Sequence, residues 1–262
     1  MIHWASMACF YLRRDAAGAA AWASENGFSG IEVWGDVPFL HSDETSSVDI
    51  KNLISAGRGI RYSLHGPIYG VNLSCVNPGI LKESMRQTLK TLEWAGELGA
   101  ERMVIHPGTS PTARCDVKDM VRKILDSSIS KLSKAAGKAG VELLLENAGL
   151  RAEDTGYSLE EFRGILEDHG IGCCLDAGHA NLTWGASAAV SALGPMIKQF
   201  HISDNSGEND EHLPAGSGTV EWEEYGKLSG VNNIPLVHEV QGSEDPERGM
   251  IESRGFIEKC FT

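Results

Sequence analysis

Short apolar runs alternate with longer amphipathic runs along the whole of this chain. The short runs read as buried strands and the long ones as helices, and their strict alternation implies parallel strands joined by helical crossovers. Strands are expected at residues 3–9, 30–34, 60–65, 102–106, 141–146, 171–176, 197–202 and 235–240. Helices are expected at about 15–25, 48–56, 80–98, 117–139, 158–170, 186–193, 222–228 and 250–259. Gly27, Gly57, Gly99 and Gly140 follow four of these helices, where a left-handed C′ residue is favoured. Ser158 and Glu161 have the spacing of a capping box.

Eight strands and eight helices in 262 residues fit the ~250 residues of one (β/α)8 barrel. The chain, 1–262, is therefore read as a single (β/α)8 TIM barrel domain. No Pro- or Ser-rich linker divides it. A doubly wound open sheet is the rival, but that fold carries a glycine-rich phosphate loop after its first strand. Here Phe10, Tyr11 and Leu12 stand in that place.

The barrel reading gives the polar residues at the strand ends a common destination, because the C-terminal ends of barrel strands converge on one site. His65, His106, Glu146, Asp176, His201 and Glu239 sit at the ends of six consecutive strands, and His179 follows Asp176 by about one turn. Buried carboxylates in such a group require cations, since an unpaired buried charge costs several kcal/mol. Mixed His and carboxylate ligands suit Zn, Mn, Fe or Co more than Mg or Ca. After the seventh strand, Asp210 and His212 lie two apart, so an extended segment would present both on one side. Gly216 and Gly218 then allow a tight return. His238, next to Glu239, points away from the site and is read as structural.

The motifs H-G-P-I-Y-G-V-N-L, V-I-H-P-G, L-E-N-A-G, L-D-A-G-H-A, F-H-I-S-D-N and D-E-H-L-P-A-G-S-G resemble the sugar phosphate isomerase/epimerase and endonuclease IV superfamily of xylose isomerase-like barrels. The resemblance covers strands three to eight. The endonuclease IV pattern implies three metals: one on His65, His106 and Glu146, a second on Glu146, Asp176, His201 and Glu239, and a third on His179, Asp210 and His212. The isomerase and epimerase pattern implies one metal on Glu146, Asp176, His201 and Glu239. In that pattern the two glutamates also serve as acid and base, and His179 contacts substrate.

Charge separates these two enzymes. Glu146, Asp176, Asp210 and Glu239 carry four negative charges. Three divalent ions leave a positive site suited to a phosphodiester, and one ion leaves a negative site suited to a neutral sugar. The loops that would face the site, 68–77, 107–113 and 205–221, contain no Lys or Arg, which leaves Arg151 and Arg248 as candidate site cations. Phosphate backbones call for several cations, and the formal net charge is −13. Trp34 and Trp184 lie just past strand ends, where they are placed to stack on a sugar. The residues thus favour a metal-dependent isomerase or epimerase of a small sugar. A phosphodiesterase acting on abasic DNA is the alternative, with nucleic acid a partner only in that case. A non-catalytic metal-binding barrel would be supported by loss of Glu146 or Glu239, and both are present.

Six cysteines without a C-x-x-C pair read as reduced, mostly buried thiols of a cytoplasmic protein. Cys173 and Cys174 should face opposite sides of one strand. The N-terminus has no basic leader ahead of its apolar run, and no run approaches the ~20 residues of a membrane helix.

Overall fold

The structure, a computed structural model, describes residues 1–228 and 230–261. Eight parallel strands close into a barrel: β1 (Ile2–Ser6), β2 (Gly30–Trp34), β3 (Arg61–His65), β4 (Arg102–Ile105), β5 (Glu142–Glu146), β6 (Gly172–Asp176), β7 (Ile197–Ile202) and β8 (Pro235–His238). Each pairs with its successor, and β8 pairs back to β1 with Trp4 opposite Val237. Around them run α1 (Ala16–Glu25), α2 (Ser47–Gly57), α3 (Pro78–Leu98), α4 (Cys115–Ala139), α5 (Leu159–His169), α6 (Ala177–Thr183), α7 (Ala186–Leu193), α8 (Trp222–Gly226) and α9 (Pro246–Cys260).

The helices begin and end where their caps dictate. Asn77 accepts from the Gly79 and Ile80 N–H groups ahead of α3, Pro78 occupies its first turn, and Gly99 closes it at φ 68°. Ser158 accepts from Glu161 N–H at 3.2 Å, one of the two bonds of the capping box its spacing implies. At α2 the Asp49 carboxylate takes both the Ser46 N–H and the Ser46 hydroxyl.

Strand alternation sorts the barrel interior into layers. Trp4 fills the N-terminal end, with the Arg61 and Arg102 guanidinium groups 5.5 and 5.9 Å from its ring centre. A Cβ on Gly30 would come within 2.4 Å of that ring, so only glycine lets it lie there. Glu32, Ser63, Val104, Leu144, Cys174, Gln199 and Val237 form the next layer, all buried. Two residues farther along their strands come His65, His106, Glu146, Asp176, His201 and Glu239. Cys174 packs with Val104 and Leu144 inside the barrel, while Cys173 joins the main core between strands and helices.

Several boundaries differ from expectation. β1 stops at Ser6, and Met7–Phe10 tightens into a buried 3-10 turn. Its apolar run continues because Phe10 turns onto Trp22 of α1, with ring centres 5.2 Å apart. The helix α6 stands where no helix is expected, since its seven residues are too few to show a period. α9 starts at Pro246, behind the cap Asp245, ahead of the expected residue 250. Among the cysteines, Cys9, Cys173 and Cys174 are buried, Cys75 and Cys260 are half-buried and Cys115 is exposed; all six are free, but burial is less general than composition implied. No described helix is long and apolar enough to cross a membrane.

Replacing Gly30 with alanine should overpack the barrel floor against Trp4 and cost about 1–3 kcal/mol. A shift of the denaturation midpoint reads this directly, and an unchanged midpoint would show that Trp4 does not depend on that space.

Candidate metal centre

The barrel places six of the nine anticipated ligands through its strand ends and three through the segments that follow. Glu146 is the hub. Its Oε2 lies 3.2 Å from His65 Nε2, 3.1 Å from His106 Nε2 and 3.5 Å from His201 Nδ1, and its Oε1 lies 3.3 Å from His179 Nδ1. His201 Nδ1 also faces Glu239 Oε2 at 3.2 Å and Asp176 Oδ2 at 3.9 Å. Farther out, His179 Nε2 and His212 Nε2 both approach Asp210 Oδ2, at 3.3 and 3.2 Å.

Among the described residues, four overlapping groups have atoms close enough to share an ion: His65–His106–Glu146, Glu146–Asp176–His179, Asp176–His201–Glu239 and His179–Asp210–His212. His65, Glu146, Asp176, His179, His201 and Glu239 are buried; His106 and His212 are half-buried, and Asp210 is exposed.

The local chain geometry explains each position. Asp176 caps α6: its Oδ1 accepts from His179 N–H at 2.8 Å and from the Ser203 hydroxyl at 3.2 Å. Its other oxygen, Oδ2, points into the cluster and makes no hydrogen bond. The Asn147 side chain clamps the Asp176 backbone at both its N–H and its carbonyl. The loop after β7 is tied down by Asp204, a fully buried carboxylate that accepts from the N–H groups of Asn205, Gly216 and Val220 and from the Trp222 indole. Asp204 also pairs with Leu213 in an isolated antiparallel bridge, which turns Asp210 and His212 back over the barrel. His212 is not extended, as its spacing suggested, but left-handed at φ 48°. Gln241 and Gly242 N–H groups hold its carbonyl there at 3.1 and 3.0 Å. Gly242 is needed for that contact, since a Cβ would lie 1.9 Å from the Glu211 carbonyl.

The donor set fits divalent metal ions. Asp176 Oδ2, His179 Nδ1 and His201 Nδ1 are buried polar atoms without a hydrogen bond, and all three face the cluster. Such orphans are rare in folded proteins unless something else satisfies them. Behind two histidines stand carbonyl acceptors: His65 Nδ1 lies 2.8 Å from Gly66 O, and His212 Nδ1 lies 3.2 Å from Glu239 O. A proton on each Nδ1 leaves Nε2 free as a ligand atom, the usual support of a metal-bound imidazole. Without metal, protons fill the same role. Burial disfavours the charged imidazoles of His65, His179 and His201, yet the surrounding carboxylates outweigh it and raise all three above the ordinary range. His212 rises to about 9 for the same balance of burial against Asp210.

Other anticipated residues are placed as follows. Trp34 is nearly buried and stacks on His65, ring centres 4.7 Å apart. Tyr69, half exposed beside it, is the more open ring. Trp184 donates its indole N–H to Tyr157 O and leans on Phe162 of α5. Arg151 pairs with Asp154, and Arg248 with Glu252. His238 lies outside the barrel lumen, linked to His3 and Ser253 at 2.9 Å each.

Two residues near the site escaped sequence reasoning. Arg13 lines a cavity of about 290 Å³ with Tyr11, Tyr69 and Gln241, and Gln241 reaches Glu239 Oε1 at 3.3 Å. Glu32, buried in β2, lies 2.9 Å from His201 Nε2. Its signal was a lone acid inside an apolar strand, G-I-E-V-W.

Known proteins resemble this chain throughout the barrel. A curated but uncharacterized protein of Methanocaldococcus jannaschii is 31% identical over 68% of this chain and 70% of its own length. A probable endonuclease 4 of Thermoplasma acidophilum is 26% identical over 62% of this chain, and the match spans 60% of that relative, less than two thirds of its length. The crystal structure of a D-tagatose 3-epimerase-like protein superposes with a TM-score of 0.86 at 22% identity, covering 99% of this chain and 97% of the other, which is a likeness of fold. The model of one family, described as a xylose isomerase-like TIM barrel, matches residues 20–260. By the closed barrel and that match, the chain belongs to the xylose isomerase-like TIM barrel family.

Proposed function

We propose that this chain is a divalent-metal-dependent isomerase or epimerase of a small sugar or sugar phosphate. The observation that carries the reading is the convergence of Glu146 and Glu239 on His201 Nδ1, at 3.5 and 3.2 Å, one from β5 and one just past β8. Moving a proton on a carbon beside a carbonyl needs an acid and a base at that carbon, and paired carboxylates are suited to both roles. Glu146, Asp176, His201 and Glu239 would hold the ion, which would polarise the substrate carbonyl and offset charge that develops on its oxygen. Glu146 and Glu239 take and return the proton through an enediolate, and His179 orients the substrate oxygens. Trp34 and Tyr69 offer the aromatic side of the mouth, and Gln241, which donates to Glu239, also lines the cavity with Tyr69. The epimerase-like solved structure supports this reading.

A three-ion phosphodiesterase acting on abasic DNA is the second reading. It is favoured by the two outer groups, His65–His106–Glu146 and His179–Asp210–His212, which a single-ion enzyme does not need, and by the endonuclease relative. The sparse cations weigh against it. Arg151 and Arg248 each already face an acid, and Arg13 donates to the Glu244 carbonyl.

Glu146→Gln and Glu239→Gln should each lower turnover about 10²–10⁴-fold, read as loss of solvent deuterium incorporation into ketoses. Unchanged exchange in either variant would overturn the acid–base assignment; cleavage of an abasic duplex instead would select the second reading. The metal-free protein should also respond to pH in a defined direction. The His212 pKa lies near 9 when folded, above 6.5 in the unfolded chain. Its contribution to stability is therefore complete below about pH 6.5 and lost as pH rises through about 9. Ligands must shed protons to bind metal, so Zn²⁺ affinity should rise over this window while metal-free stability falls. Affinity independent of pH between 6.5 and 9 would remove His212 from the ligand set.

A further inference from the structure

His201 is the histidine at the centre of the cluster, and what stands behind it differs from what stands behind His65 and His212. Those two are backed by backbone carbonyls. His201 Nε2 instead lies 2.9 Å from Oε1 of Glu32, a carboxylate 1% exposed in the barrel interior. The other oxygen, Oε2, accepts from the Ser63 hydroxyl at 3.0 Å and from the Gln199 side-chain amide. Oε1 makes no hydrogen bond and rests against the imidazole edge, while the Gln199 amide nitrogen, which donates to Oε2, also lies 3.4 Å from His201 Nε2; among the described residues no Lys or Arg pairs with Glu32. A buried charge of this kind is costly unless it is matched. Its match is the imidazole, and through it whatever the imidazole binds.

We propose that Glu32 is a positioning residue that fixes the His201 tautomer, keeping the proton on Nε2 so that Nδ1 presents its lone pair to a divalent cation between Glu146, Asp176 and Glu239. The tautomer matters because of what Nδ1 faces. Three carboxylates supply oxygens at 3.2–3.9 Å. A neutral ring with its proton on Nδ1 would satisfy those oxygens and block the cation. With a carboxylate behind Nε2, that tautomer would set two acceptors face to face, so it is disfavoured. A carboxylate behind the ring also increases the donor strength of Nδ1. The barrel supplies the reach: Glu32 is on β2 and His201 on β7, and they meet across the lumen one layer below the ligands. This inference rests on His201 being a metal ligand, not on which reaction the centre performs.

Glu32→Gln is the discriminating change. It keeps size and packing, but its amide can turn its N–H toward Nε2 and so permit the blocking tautomer. The parent and variant are compared by competition with a chromophoric chelator for Zn²⁺, and by the visible absorption of the Co²⁺-loaded forms. Thermal unfolding of both chelated proteins serves as the folding control. The expected result is about 10–100-fold weaker binding of one ion in Glu32→Gln, an altered Co²⁺ spectrum, and no loss of metal-free stability. Ser63→Ala, which removes a donor to Glu32 but not its contact with His201, should bind metal within a few-fold of the parent. Equal affinity and spectra for the parent and Glu32→Gln would overturn the proposal while leaving the metal centre intact. A parent that binds no metal would overturn the centre and this inference together. A Glu32→Gln variant whose only defect is a lower metal-free midpoint would show a purely structural role.

Discussion

The buried negative charge at the mouth of the barrel must be neutralised, and the rest of the structure is arranged around that requirement. Glu146, Asp176 and Glu239 are at most 4% exposed, and Glu32 lies just below them. Each such charge costs several kcal/mol if left unmatched. Among the described residues, no Lys or Arg pairs with these carboxylates. Histidines enter the cluster, five of them, and a histidine satisfies a carboxylate only while its facing nitrogen carries a proton or shares a cation with it. The site is therefore poised between protons and metal, which explains both the raised imidazole pKa values and the orphaned atoms that face inward.

The surrounding chain holds this arrangement in place. β5 to β8 deliver Glu146, Asp176, His201 and Glu239 in register, and α6 begins on Asp176 so that one carboxylate oxygen is spent on the helix and the other is left for the centre. Asp204 fastens the long loop from beneath with four donors, and this brings Asp210 and His212 over the mouth. The left-handed backbone at His212 costs of order 1–3 kcal/mol. Two hydrogen bonds to its carbonyl and the close approach of Gly242 sustain it. The strain sits where the His212 side chain meets Asp210, at 3.2 Å.

Much of this was legible in the sequence, for a physical reason. In a parallel barrel, the βα rhythm alone fixes which residues end the strands, so His65, Glu146, Asp176 and Glu239 identify themselves by position. Strand alternation likewise separated Cys173 from Cys174 and turned His238 outward. What was not legible depends on contacts across the barrel or on loop paths. Glu32 acquires meaning only when β2 and β7 face each other over the lumen, and no local pattern encodes that meeting. Arg13 depends on the course of the chain after the buried turn Met7–Phe10, which itself read as strand because its residues are apolar. The helix α6 was hidden because the motif that marks it, Asp176 and His179, also marks the centre. Trp184 looked available from its place after a strand, whereas its indole N–H and ring are engaged by Tyr157 and Phe162.

The central claim is that the nine convergent side chains form a metal centre. Elemental analysis of the protein purified without chelator or affinity tag, expressed as ions per chain, tests it most directly. At least one tightly held divalent ion per chain is predicted, with about one favouring proton transfer on a sugar and about three favouring phosphodiester hydrolysis. No bound metal, and none taken up on dialysis against Zn²⁺, Mn²⁺ or Co²⁺, would contradict the account.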